Sequence, residues 1–170
     1  MESIYLSREE EERYAELQFM ALDCARNGET PQLEDMVRAG MPVNLSDNKG
    51  NSLLMLAAYN GQEETVRMLL RQGADIDRRN DHGQTPLGGV AFKGYLNIVR
   101  LLVEAGAGVD ADNGSGKTPL MFAAMFGHRD IVEYLLSRGA DPTSQTLFGI
   151  SARHLAKFTG TLRSLATFWA

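Results

Sequence analysis

The chain has 170 residues, 44% of them hydrophobic, so it is long and apolar enough for one globular domain with a core. Its net charge of −5 has the wrong sign for a protein that binds by neutralising phosphates, which argues against nucleic acid and anionic membranes as partners. Cys24 is the single cysteine, so no disulfide can form within the chain.

Residues 1–15 are predicted to form an N-terminal helical extension. Ser7 and Glu10 have the spacing of a capping box, which predicts a helix from about residue 7 to residue 27. Apolar residues at helical spacing share one face of this helix: Tyr14, Leu17, Ala21 and Cys24. The glutamates at 9–12 fit either an acidic docking tail or, as we prefer, a solvated helix face near the positive end of the helix dipole.

The beginning of the chain is acidic, whereas a signal peptide has basic residues followed by an apolar run. No apolar stretch approaches the roughly 18 residues of a transmembrane helix. We therefore expect a cytoplasmic protein with no membrane partner.

The most informative feature is a pattern that recurs at a fixed interval along the chain. The stretch 116–127 is matched by 83–94 and again by 50–61, and glycines recur in two columns: Gly28, Gly61, Gly94, Gly127 and Gly160, then Gly40, Gly73, Gly106 and Gly139. A fixed period of about 20 to 50 residues indicates stacked repeats. The frame predicts an N-terminal capping repeat (16–46), three full repeats (47–79, 80–112 and 113–145) and a C-terminal capping repeat (146–170).

Each full repeat is predicted to contain an inner helix, an outer helix and a finger-like hairpin. A threonine followed by proline, at residues 85–86 and 118–119, has the chemistry of a helix start. The inner helix carries tiny residues that let neighbours approach closely, and the outer helix carries core residues: Ala25, Ala58, Ala91 and Ala124, then Val66, Leu69, Leu70, Val99, Leu102, Val103, Val132, Leu135 and Leu136. Ile76, Val109 and Pro142 are expected in short extended segments before the turns of the fingers.

These residues resemble the ankyrin-repeat family, whose unit has about 33 residues and a Thr-Pro-Leu-His-x-Ala core. The stretch 127–136 is similar to the family's Gly-His-x-x-Ile-Val-x-x-Leu-Leu pattern, whereas Met55, Gly88 and Met121 replace the histidine of the core motif. The resemblance, to the small stand-alone bacterial type, implies an all-α ankyrin-repeat solenoid of helix-turn-helix units with short β-hairpin-like finger loops. Leu165, Phe168 and Trp169 are expected to close its C-terminal end.

Enzymatic chemistry finds little support in the residues. The stretch 111–118 is close to a phosphate-binding loop, so a nucleotide-binding enzyme that uses Lys117 and Thr118 is an alternative. In the repeat frame, however, these residues form a fingertip and a helix cap. The histidines at 82, 128 and 154 have no metal-ligand spacing, and Cys24 is expected to be a buried, inert thiol. We predict a protein that is not an enzyme and has no cofactor.

The residues just before each glycine that ends an inner helix are not needed by the core: Tyr59, Asn60, Phe92, Lys93, Met125, Phe126 and Phe158. In ankyrin-like folds these positions line the concave face. Their aromatic and Met column predicts a binding site for another protein, and the alternative is that the rings pack on each other and extend the core. The fingertips would supply a polar rim: Asn48, Lys49, Asn51, Asp81, His82, Gln84, Ser115 and Lys117.

Gly88 and Gly89 are adjacent within an inner helix, where each glycine costs about 1 kcal/mol relative to alanine. The pair fits sequence drift, the close approach of a partner's backbone, or a soft joint in repeat 80–112. The function predicted from the whole chain is a monomeric protein-protein interaction module acting as adaptor, inhibitor or stress-protective, immunity-type partner. A self-associating structural element is a further alternative.

Overall fold

The computed structural model describes residues 7–159, and these form two layers of short helices. The inner layer contains α1 (Arg8–Asn27), α3 (Leu53–Tyr59), α5 (Pro86–Lys93), α7 (Pro119–Met125) and α9 (Ala152–Thr159). The outer layer contains α2 (Thr30–Arg38), α4 (Glu63–Arg71), α6 (Leu96–Glu104) and α8 (Arg129–Ser137). Each helix packs on the next one in its own layer, so the described chain forms a stack of helix pairs. The predicted all-α repeat architecture is confirmed.

The inner helices begin where the sequence places a hydroxyl. Ser52, Thr85 and Thr118 have extended backbone, and their side chains accept hydrogen bonds from the backbone N–H three residues later. Pro86 and Pro119 each occupy the first residue of their helix, where the missing N–H is not needed. At the start of α1 the predicted capping box of Ser7 is present in full.

The core lies between the two layers. The alanines of the small-residue column, Ala25, Ala58, Ala91 and Ala124, are completely buried. On the outer helices the predicted core residues are buried as well, except that Leu70 and Leu136 are half-buried. The interior is therefore continuous from α1 to α9, because every inner helix presents a side chain small enough for its neighbours to come close.

The apolar face expected along the whole of α1 is buried only in its C-terminal part. Ala21 and Cys24 are buried, but Tyr14 and Leu17 are 43% and 40% exposed. The physical reason is length: α1 has 20 residues and α3, on which it packs, has seven. Its first turns consequently extend beyond the stack.

The hairpin-like fingers differ in one detail from the prediction. Ile76, Val109 and Pro142 lie in turns and not in extended segments. The narrow pairing of each finger comes later, for example where Asn80 N–H donates to Gln84 O at 3.0 Å. Short antiparallel bridges at 46–52 and 145–151 mark the bases of the first and last fingers.

Two sets of polar contacts hold the repeats in register. His128 contacts Phe92 O at 3.0 Å through Nε2 and covers Gly94, and Gln62, its equivalent two repeats earlier, donates to Arg26 O at 2.9 Å. The carboxylate of Asp77 accepts the Gly108 N–H, and the equivalent Asn44 and Asp110 side chains accept the N–H groups of residues 75 and 141. His128 is thus a structural residue that caps α5, the inner helix of the preceding repeat.

Among residues 7–159, no helix has the length and apolar character needed to span a bilayer. The expected closing residues Leu165, Phe168 and Trp169 lie outside the described part of the chain.

Candidate partner-binding face

The last turns of α3, α5 and α7 lie beside the fingers and form a surface that we call the finger-side face. It carries the predicted apolar residues: Tyr59, Met125 and Phe126 are 43%, 39% and 47% exposed, and Phe92 is half-buried. Asn60 and Lys93 are also exposed. The side chain of Phe158, although the residue belongs to α9, lies outside the description.

The aromatic residues of this face contact one another and still remain accessible. The Tyr59 and Phe92 rings are stacked with centroids 6.3 Å apart and an interplanar angle of 12°. Phe126 meets Phe92 edge to face at 4.4 Å, and Phe122 does so at 6.4 Å. The rings therefore pack on each other, as the core interpretation expects, and also offer a surface to a partner. Both are possible because Tyr59 and Phe126 keep a large fraction of their surface exposed while they contact Phe92.

A positive charge accompanies the rings. The Lys93 Nζ lies 5.0 Å from the centroid of Tyr59 and 6.0 Å from that of Tyr95. A cation over an aromatic face is attracted by the negative potential of the ring. Lys93 therefore holds the Tyr59 ring on the finger-side face and adds a charge to its edge.

The fingertips are polar and mostly accessible. The exposed predicted residues are Asn48, Lys49, Asp81, His82, Gln84, Ser115 and Lys117. Asn51 differs, because it is half-buried: its Nδ2 donates to Asp47 at 3.1 Å and its Oδ1 accepts from Asn80 at 2.9 Å. Asn51 therefore joins two neighbouring fingers and is less available to a partner than the other rim residues.

The first finger is tied to α1 through a charged contact. The Asp47 carboxylate accepts from the Lys49 and Asn51 N–H groups at 2.9 Å and lies 3.3 Å from the Arg26 guanidinium. Burial acts to raise the pKa of Asp47, but these hydrogen bonds and the nearby positive charge together hold the pKa below its ordinary value. Asp47 is thus ionised in the folded protein and links the first finger to α1.

The stretch that resembles a phosphate-binding loop has a different geometry. The backbone N–H groups of Gly114 and Gly116 both donate to the Asp112 carboxylate, at 3.0 and 2.8 Å. The Thr118 side chain is buried and caps α7, which has only seven residues. The groups that would cradle phosphate are engaged by an anion of the chain itself, which is unfavourable for nucleotide binding.

A contact that the sequence did not reveal explains Gly88. Asn113 of the next repeat is buried, and its Oδ1 accepts from Thr85 N at 2.8 Å and from Thr85 Oγ1 at 3.0 Å. A side chain at position 88 would overlap the Asn113 amide. Gly88 therefore leaves room for a polar link between two repeats. The signal in the sequence is the coincidence of an in-helix glycine with an asparagine at the start of the following repeat.

The inward-facing side chain of Asn113 also changes the turn of its own finger, the third in the described chain. In the two preceding fingers the turn is closed by side chains at 47 and 80, whereas the equivalent Asn113 faces inward and Asp112 closes the turn instead. Ser115 then has a φ of 60°, the only positive φ of a non-glycine residue in the described chain. One inward-facing amide thus alters the shape of a whole fingertip.

The last finger carries exposed apolar residues that were also missed. Leu147 and Phe148 are 80% and 85% exposed, and Ile150 is 40% exposed. In the repeat frame they replace polar fingertip residues such as Asn48 and Lys49. An apolar pair inside a predicted turn is the signal that would have placed them on the candidate face.

Cys24 lies away from the finger-side face and is unsuited to nucleophilic chemistry. It is 1% exposed, and its Sγ donates to the Glu29 carboxylate at 3.4 Å. Burial, with a smaller contribution from Glu29, raises the pKa of the Cys24 thiol to about 11. Within residues 7–159 there is also no group of three or more His, Cys, Asp or Glu side chains placed to hold a metal ion.

Helix pairs that recur at a fixed interval and are joined by projecting fingers define the chain as a helical-repeat solenoid. The family model described as ankyrin repeats (three copies) matches residues 21–113 and 54–146, which together cover more than half of the chain. The chain therefore belongs to the ankyrin-repeat family. Ankyrin repeats are generally protein-protein interaction modules, and the family is typically non-enzymatic.

A curated relative supports the same family. A Pseudomonas aeruginosa protein named as an ankyrin repeat protein is 51% identical over 37 residues. The matched segment covers 22% of this chain and 22% of that protein. The similarity is thus local and corresponds to little more than one repeat.

Proposed function

We propose that the protein binds another protein through the finger-side face and acts by binding alone, as an adaptor, an inhibitor or an immunity-type partner that neutralises another protein. The observation that carries the proposal is the accessible aromatic and Met surface formed by Tyr59, Met125 and Phe126 beside polar fingers. Aromatic residues and Met are enriched in the centres of protein interfaces, and a polar rim commonly surrounds them. In this proposal the segment 16–46 caps the N-terminal end of the stack, and the capping role expected of 146–170 stays a prediction.

The contacts among the aromatic rings also support a binding role for the finger-side face. Phe92 contacts the rings of Tyr59, Phe122 and Phe126, so the exposed rings are held in place before a partner arrives. A preordered surface loses less side-chain entropy on binding, and aromatic side chains have few rotatable bonds to immobilise. Such a face is suited to binding with little rearrangement.

The test compares two tyrosines of equal exposure on different surfaces. Tyr59 and Tyr14 are both 43% exposed, but only Tyr59 lies on the finger-side face. Tagged full-length wild type, Tyr14→Ala, and the double variant Tyr59→Ala with Phe126→Ala are used to capture proteins from the producing cells, and the captured proteins are quantified by mass spectrometry. We expect one set of partners to be retained by wild type and Tyr14→Ala and reduced at least about tenfold by the double variant.

Circular dichroism and thermal unfolding serve as the control that all three proteins are folded. Equal capture by the double variant and by Tyr14→Ala would rule out the finger-side face as the binding site. If the captured protein is the chain itself, and light scattering shows a mass that rises with concentration, the self-associating structural element replaces the proposed monomeric module.

A further inference from the structure

A pocket opens on the finger-side face next to the two glycines of α5. Its volume is about 320 Å³, which is at the lower end for a binding pocket and suits a large side chain better than a drug-sized ligand. Its apolar wall is made by Met55, Leu56, Tyr59, Phe92 and Phe122. We call it the glycine pocket.

The glycine pocket exists because one repeat lacks the side chains that its neighbours have. The positions equivalent to Gly89 in the two adjacent repeats are Leu56 and Phe122, and both of these residues are buried. The space at Gly88 is already taken by Asn113, whereas a Cβ at Gly89 would meet only the Tyr59 ring, at 3.3 Å. The pocket therefore results from the missing side chain at position 89. A side chain of the partner can occupy the space that a leucine or phenylalanine fills in the adjacent repeats.

The polar edge of the pocket offers hydrogen-bond donors. Lys49, His82 and Gln84 line it, and within the described chain neither the Lys49 ammonium, the His82 ring nor the Gln84 NH₂ group has a protein partner. Lys93 adds a further positive charge next to Tyr59. The exposed Asp81 lies on the same fingertip as His82, and its N–H donates to Lys49 O at 3.0 Å, but its side chain is not part of the pocket lining. Asp47, the other carboxylate beside Lys49, is already paired with Arg26, so the two lysines outweigh the single carboxylate of Asp81. In a chain with a net charge of −5, this edge carries a local excess of positive charge that complements carboxylates.

We propose that the glycine pocket takes an aromatic side chain from an acidic segment of the partner protein. The aromatic ring contacts Tyr59, Phe92 and Phe122, where edge-to-face and offset geometries are available, and flanking carboxylates accept hydrogen bonds from Lys49 and His82. This assignment rests on the proposed function of the finger-side face. It specifies the chemistry of the segment that the face selects.

The proposal is tested with a synthetic probe and the full-length protein. The probe is a fluorescein-labelled peptide with one tryptophan between two pairs of aspartates, and the two matched peptides carry alanine instead of tryptophan or lysines instead of aspartates. Fluorescence anisotropy is expected to show binding of the acidic tryptophan peptide at least tenfold tighter than either matched peptide. The affinity should fall as salt is added, because the charges on the rim are exposed to solvent.

Substitutions in the protein then test whether the peptide binds in the glycine pocket. Gly89→Leu restores the side chain found in the preceding repeat and is expected to weaken binding at least tenfold. Lys49→Ala with His82→Ala is expected to weaken it three- to tenfold without filling the pocket. Lys157→Ala, an exposed lysine of α9 outside the pocket, serves as the control and should remain within twofold of wild type.

Several results would overturn the proposal. These are equal binding of the acidic and basic peptides, unchanged binding by Gly89→Leu, or binding of free phenylacetate as tight as that of the peptide, which would indicate a small-molecule site. The proposed function has a separate outcome: if Gly89→Leu captures the same partners as wild type while the Tyr59→Ala and Phe126→Ala double variant loses them, the finger-side face binds protein and the glycine pocket does not take part.

Discussion

Gly88 and Gly89 are neighbours in α5 but have opposite surroundings. Gly88 is buried against the Asn113 amide, whereas Gly89 is half-buried and faces the accessible ring of Tyr59. Both have helical backbone, so alanine would improve the intrinsic helix propensity of each position by about 1 kcal/mol. Local sterics, and not propensity, therefore decide what a side chain does at each of the two positions.

The residue-scale prediction is that Gly88→Ala destabilises the protein and that Gly89→Ala does not. Gly88→Ala should lower the free energy of unfolding by about 1–3 kcal/mol, because it displaces the amide that accepts from Thr85. Gly89→Ala should leave it unchanged or raise it by up to about 1 kcal/mol, because the Tyr59 ring can move slightly. Urea denaturation measures both.

A double-mutant cycle with Asn113→Ala separates crowding from a general loss of helix stability. In that background the cost of Gly88→Ala should largely disappear, because the group that it displaces is absent. An equal cost in both backgrounds would show that Asn113 is not the reason for the glycine.

At the scale of elements, the contact between α1 and the first finger makes stability depend on pH. The pKa of Asp47 is lowered in the folded protein, so its contribution is fully present above the unfolded pKa of about 3.9 and is lost as the pH falls through the lower folded value. Asp47→Asn keeps an amide that can close the turn, as Asn80 does in the next finger. It removes the charge that faces Arg26.

We therefore expect wild type to be more stable than Asp47→Asn near pH 6, and the two free energies of unfolding to converge as the pH falls progressively below the unfolded pKa of about 3.9. Thermal unfolding at several pH values measures the difference. A constant difference between the two proteins from pH 6 to pH 2.5 would contradict the assigned role of the carboxylate.

The third described finger gives a prediction about nucleotides. Because Asp112 occupies the Gly114 and Gly116 N–H groups, adding Mg-ATP or Mg-GTP should leave the Tm unchanged in wild type and in Lys117→Ala alike. Differential scanning fluorimetry with millimolar nucleotide is sufficient. A rise in Tm that Lys117→Ala abolishes would restore the nucleotide-binding alternative.

For the whole molecule, the question raised by the two glycines is whether repeat 80–112 is a soft joint. α5 packs on α3 and α7, and Leu87, Val90 and Ala91 are completely buried. The Thr85–Asn113 bonds add a polar link to the next repeat that the glycine itself makes possible. Repeat stacks gain stability from such neighbour contacts, so the glycines do not isolate this repeat.

We expect the amide protons of α5 to exchange at rates within about tenfold of those of α3 and α7. Native-state hydrogen exchange followed by NMR or by mass spectrometry of peptides measures this directly. Exchange in α5 that is a hundredfold faster than in both neighbours would establish a soft joint at repeat 80–112.

Much of the fold was accessible from the sequence because a repeat is specified by local signals. Ser52, Thr85 and Thr118 each cap a helix, and the alanine column sets the distance between inner helices. Such signals act within a few residues or recur once in each repeat, so they can be read without knowing the tertiary structure. The extended segments expected at Ile76, Val109 and Pro142 were wrong, because a second turn, after the one that ends each outer helix, occupies those residues.

The candidate face was only partly predictable. The column of Tyr59, Phe92 and Met125 follows from the repeat frame, but the accessible fraction of each ring depends on neighbours in the adjacent repeats. The close contact between Asn113 and Gly88 depends on the orientation of the Asn113 side-chain amide. The altered turn of that fingertip depends on the same orientation.

By itself, then, the sequence determined the repeat, its helix starts and its core, because hydroxyl caps, prolines and small side chains act locally and recur at a fixed period. Only the tertiary structure decided that α1 extends beyond the stack, that Asp112 closes a fingertip and that a pocket opens at Gly89. These outcomes arise from contacts between side chains of different repeats, and such contacts are governed by the space that each neighbour leaves.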